Sequence, residues 1–102
     1  MKEIKMLVEY IEEELHDSEK YAKQSLHYKD ENRSLSELFL QLSKEEMTHM
    51  ERLHDQAAKC IAKAKEQRHG EAPEAMQAVW DWEHKKMIDH AARIKVMWDM
   101  IR

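Results

Sequence analysis

The sequence predicts an all-α fold, an antiparallel three-helix chain, and three observations carry that prediction. The 102 residues include one glycine and one proline, and 37% are charged, which leaves little material for sheet turns. Ala, Glu, Lys, Leu, Met and Gln dominate, as they do in long helices. Apolar residues recur at steps of three and four along three long segments, the stripe of a helix that packs on partners. Short polar stretches separate the segments.

The first helix is expected over about 2–29, with Ile4, Leu7, Val8, Ile11, Ser18, Tyr21, Ala22, Ser25 and Tyr28 on one stripe. Glu14 falls inside that stripe, where another leucine would fit the pattern. Polar residues from Lys29 to Arg33 break the periodicity. Ser34-Leu35-Ser36-Glu37 has the Ser-x-x-Glu form of a capping box, so the second helix is expected to start at Ser34. It should run to about Gln67, with Leu35, Leu38, Phe39, Leu42, Glu46, His49, Met50, Leu53, Ala57, Cys60, Ile61 and Ala64 on its face. Gly70 stands where a helix C-terminal turn favours positive φ. Ala72-Pro73 can open the third helix, because proline is tolerated in a first turn. That helix should reach Ile101, with Met76, Val79, Trp80, Glu83, Met87, His90, Ala91, Ile94, Met97, Trp98 and Ile101 on its face. The length suits a single domain spanning 1–102. A hairpin roughly 40 Å long, at 1.5 Å rise per residue, exposes more apolar face than one thin domain can hide. A homodimer or higher homo-oligomer is therefore expected.

Bulk properties narrow the function classes. The formal charge of −4 is mild and its signs alternate along the chain, so no basic footprint for nucleic acid is present. No apolar run approaches the roughly 20 residues that cross a bilayer. The start, Met1-Lys2-Glu3-Ile4, is already amphipathic and carries an acidic residue, unlike a secretory signal. The single cysteine, Cys60, excludes an internal disulfide framework and fits a cytoplasmic location. The eight methionines fall at helical spacing and read as adaptable core filler.

The chemistry concentrates at Glu46-Met47-Thr48-His49. A glutamate and a histidine three apart on a helix point the same way and can grip one metal ion from one side. If the first turn centres near Glu31–Asn32, residues whose numbers add to about 63 share a level. Glu14 then faces His49, and Glu46 lies one turn away. Glu12, Glu13 and Glu19 are near in height but fall off the apolar stripe, where solvent is expected. With the second turn centred near Glu71, His90 lies one turn from His49 and is the fourth candidate metal ligand. Glu83 falls level with Lys59, some 15 Å along the bundle by helix rise, and is not expected to join. Carboxylates supply hard anionic oxygens, and imidazole adds a nitrogen donor suited to iron, manganese or zinc. A carboxylate inside an apolar stripe is costly unless a cation, a proton or an ion pair compensates it. His16, His27, His54, His69 and His84 are expected at the surface or rim, and Trp82 is a candidate interface anchor.

These residues resemble the rubrerythrin-type, ferritin-like carboxylate bundles. Glu14-Leu15-His16-Asp17-Ser18-Glu19-Lys20-Tyr21 is similar to that family's first ligand helix, where a metal-binding Glu precedes a Tyr by seven residues. The run from Leu38 to His49 is similar to its apolar stretch followed by Glu-Glu-x-x-His. The resemblance covers about Ile4 to His54. It implies a ferritin-like hairpin with Glu14 as terminal or bridging carboxylate, Glu46 as bridging carboxylate and His49 as imidazole ligand. It also implies iron, mononuclear or as a di-iron pair, and an oxidoreductase activity such as iron oxidation or peroxide handling. The family's full chain carries a second Glu helix and a second Glu-x-x-His helix. Here Lys86 stands three residues after Glu83, and no fourth helix remains. Short encapsulated ferritin-like proteins complete their site by dimerising, and two copies of this chain would bring four Glu and two His together. The alternative reading is a metal-free helical interaction protein in which the same polar seam sets pairing register.

Overall fold

The computed structural model describes residues 2–67 and 74–102. They form three helices, α1 (Lys2–His27), α2 (Arg33–Gln67) and α3 (Glu74–Ile101), in a slender bundle of 56 × 17 × 17 Å. The all-α, three-helix prediction holds, and α2 and α3 each run antiparallel to the helix before them. Gly70, Ala72-Pro73 and His69 lie outside the described residues.

The first turn differs from expectation in its cap. Asn32 Oδ1 accepts the Leu35 N–H at 3.1 Å, so Asn32 rather than Ser34 caps α2. Ser36 is drawn away from any capping role because its hydroxyl donates to the Ser25 carbonyl at 2.7 Å. Arg33 Nε and Glu37 Oε1, one helical turn apart, meet at 3.2 Å and brace the new helix start.

Two rungs of paired serines set the α1–α2 register. Ser18 donates to the Ser43 carbonyl at 2.8 Å, and Ser43 returns the bond to the Ser18 carbonyl at 2.7 Å. Ser25 and Ser36 repeat the exchange at 2.6 and 2.7 Å. All four side chains are buried, and their small size lets the two backbones approach closely. Paired numbers therefore add to 61, close to the expected level near 63.

The serines also turn α2 relative to its expected face. Its buried residues are Ser36, Ser43, Met47, Met50, Ala57 and Ile61, not the leucine stripe. Leu38 remains 51% exposed, and Leu35, Phe39 and Leu42 are only half-buried. The core lies along Ile4, Ile11 and Leu15 of α1, Met47 and Met50 of α2, and Met87 and Ile94 of α3. Helix α3 packs more extensively on α1 than on α2. Two anchors fix its lower end: the Trp98 indole N–H donates to Ser43 Oγ at 2.8 Å, and Lys29 Nζ donates to the Met100 carbonyl at 2.8 Å. Among the described residues no helix is long and apolar enough to cross a membrane.

Candidate metal centre

Helix phase decides which side chains meet. On α1, Glu12, His16 and Glu19 flank α3, whereas Tyr10, Glu14 and Tyr21 occupy the other flank, with Tyr28 just past the helix end. Five residues on a helix turn through about 140°, so Glu14 and Glu19 cannot serve the same neighbour. On α2 the matching open flank carries Leu38, Phe39, Leu42, Glu46 and His49. Phe39 stacks between Tyr21 and Tyr28, with ring centroids at 6.1 and 6.2 Å, which ties the two open flanks together.

Above those rings, Glu14, Glu46 and His49 converge. Each offers a ligand atom, and the three lie within 4.8 Å of one another. His49 Nδ1 is 3.5 Å from Glu14 Oε2 and 3.6 Å from Glu46 Oε2. Ligands about 2.1 Å from a common ion lie roughly 3 to 4 Å apart, so these separations already suit one ion. The Glu14 and Glu46 side chains are 26% and 21% exposed, while His49 is 51% exposed. The carboxylates thus form a shielded floor and the imidazole an open wall.

Electrostatics mark the same spot. The Glu14 carboxyl is pushed up to about 7, first by a hydrogen bond with Glu46, then by burial and by the Glu46 charge. His49 pulls in the opposite direction but does not offset them. Glu14 Oε2 is buried and makes no hydrogen bond. Two carboxylates that close compete for a proton, and a cation satisfies both at once.

His90, the fourth expected ligand, lies elsewhere. Its Nε2 is 3.6 Å from Glu19 Oε2, and its ring meets His16 edge-on at 6.4 Å, on the α3 flank of α1. Height along the bundle placed it near His49, but azimuth separates them. Glu19, expected in solvent, is half-buried in this contact. Glu83 also stays apart from the cluster: its Oε2 is 3.1 Å from Lys86 Nζ, and its hydrogen bond adds to burial in raising Glu12. Trp82 is 68% exposed, on the outer side of α3.

The residues that sequence reasoning placed at the rim but the structure draws inward are His54 and His84. They meet between α2 and α3 with ring centroids 5.0 Å apart, and Trp80 lies 5.2 Å from each ring. The spacing Glu51-x-x-His54 repeats that of Glu46-x-x-His49 and was the available signal. The Glu14, Glu46 and His49 cluster can coordinate a metal ion. No protein-family model matches the chain, and no curated protein or solved structure matches it either.

Proposed function

We propose that this protein binds a transition-metal ion, iron foremost and manganese or zinc as substitutes, through Glu14, Glu46 and His49. The observation that carries the reading is the convergence of two shielded carboxylates and an imidazole within 4.8 Å, one carboxylate oxygen lacking any hydrogen bond. The donor set fits the group: hard oxygens with one nitrogen donor suit iron and manganese. Glu14 and Glu46 hold the ion from the floor of the seam, and His49 closes it from the open side. Iron held there supplies redox chemistry, and the resemblance to ferritin-like proteins points to iron oxidation or peroxide handling.

Three protein ligands leave coordination positions open, and the chain itself suggests what fills them. The same flank carries Tyr10 at 48% and Leu38 at 51% exposure and, farther along it, half-buried Tyr21, Tyr28, Phe39 and Leu42. Exposed apolar side chains gathered on one flank mark a protein–protein contact surface. A second copy docked there about a two-fold axis contributes the same two Glu and one His. The metal centre is then shared between subunits.

Glu46→Ala and His49→Ala should each abolish stoichiometric Fe²⁺ or Mn²⁺ uptake while preserving helical circular dichroism. Metal content unchanged in both variants, by elemental analysis, contradicts the proposal. The metal-free reading is favoured by the His49 contacts with both glutamates, which could fix register alone. It predicts a melting temperature indifferent to chelator and to added Fe²⁺.

A further inference from the structure

Helix α2 carries its Glu-x-x-His spacing twice, and the second copy, Glu51-Arg52-Leu53-His54, faces α3. There His54 meets His84 across the helix interface, with ring centroids 5.0 Å apart and planes inclined by 34°. A cavity of about 410 Å³ opens beside the pair, lined also by Glu51, Asp55, Met87 and Lys95. We propose that His54 and His84 form a second metal site, an imidazole pair that clips α2 to α3 through a divalent ion of the zinc, nickel or copper type.

The separation suits that role. Two imidazole nitrogens about 2.0–2.1 Å from one ion, at ordinary ligand angles, place their ring centroids roughly 4.5 to 5.2 Å apart. His54 Nδ1 lies 3.9 Å from Asp55 Oδ1, beyond hydrogen-bond reach, so this carboxylate neighbours the ring without tying up its nitrogen. Among the described residues no third side-chain ligand converges on the two imidazoles, so water completes the coordination.

Ligand chemistry separates this site from the Glu14 cluster. Two imidazoles favour zinc, nickel and copper, whereas two carboxylates with one imidazole also suit manganese and iron. The site would act on structure: α2 and α3 share the smallest interface of the three helix pairs, so a clip between them changes α3 attachment most.

The test uses the full chain with Glu46→Ala and His49→Ala combined, which removes the first centre and its metal from the readout. Zn²⁺ is titrated while histidine ring signals are followed by NMR. The His54 and His84 signals should shift together and saturate at one Zn²⁺ per chain. Adding His84→Ala, or the more conservative His84→Asn, should weaken Zn²⁺ binding by at least about tenfold with helicity kept. The proposal is overturned by any of three results: no Zn²⁺ binding to the double variant, saturation without movement of the His54 and His84 signals, or equal affinity after His84 is replaced. Each result stands whether or not the Glu14 cluster binds iron.

Discussion

Glu46-x-x-His49 and Glu51-x-x-His54 share one spacing and one helix, yet they face different neighbours. Five residues separate them, which turns the second pair about 140° from the first. The first meets Glu14 of α1 on an open flank, and the second meets His84 of α3 inside an interface. A ligand-like spacing on one helix acquires its chemistry from the helix that opposes it. A facing carboxylate makes an oxygen-rich cluster that suits iron or manganese. A facing imidazole makes a nitrogen pair that suits zinc. The two regions also respond oppositely to protons. Glu14 is held above its ordinary range by Glu46 and burial, whereas His54 is held below its own by burial and His84.

The largest expected effect breaks the first region alone. Glu14→Leu should eliminate the stabilisation that Mn²⁺ or Fe²⁺ gives to the wild-type chain. In metal-free protein the same change should leave stability equal or raised by about 1–3 kcal/mol, since an apolar side chain replaces a costly carboxylate. Thermal unfolding with and without metal measures both. A marked loss of metal-free stability would mean that the carboxylate holds the seam together without an ion.

Acidity sharpens the comparison at intermediate size. Glu14 has a raised value, so its contribution to metal-free stability is complete below pH 4.5 and is lost as pH rises through about 7. His54 has a lowered value, so its contribution is present above pH 6.5 and is lost as pH falls through the depressed value. Urea unfolding from pH 4 to 8 should therefore show Glu14→Gln flattening the neutral side and His54→Gln flattening the acid side. Metal should reverse the first trend, because binding displaces the proton on Glu14. Affinity for Mn²⁺ should rise steadily up to about pH 7. An Mn²⁺ affinity independent of pH across that interval would place the ion away from Glu14.

The smallest effect concerns the serine rungs, which are polar like the Glu14 cluster but internally satisfied. Ser25→Ala should cost about 1 kcal/mol, the net value of a typical hydrogen bond. Ser43→Ala should cost somewhat more, because its hydroxyl also accepts the Trp98 indole N–H. Equal losses at the two rungs, by chemical denaturation, would show that Trp98 contributes little to holding α3.

Much of this architecture was legible in the sequence. Three helices follow from the periodicity, and the height argument brought Glu14 to His49 within a fraction of a turn because the connection from α1 to α2 is short. Azimuth was less legible. His90 sits at a plausible height but on the α3 flank of α1, where Glu19 receives it. The leucines of α2 looked like its buried face, yet Ser36 and Ser43 take the seam because small residues that satisfy each other allow closer approach. That rotation leaves Leu38 exposed beside the cluster. His54 and His84 looked like rim residues because single histidines in a polar helix carry no signal until their partners are known.

Native mass spectrometry of the chain saturated with Fe²⁺ under reducing conditions tests the central claim most directly, because it reports subunit number and bound metal together. A shared Glu14–Glu46–His49 centre predicts dimers, or higher even-numbered assemblies, that carry iron and lose it in Glu46→Ala. Iron-free monomers at saturating Fe²⁺ would contradict it.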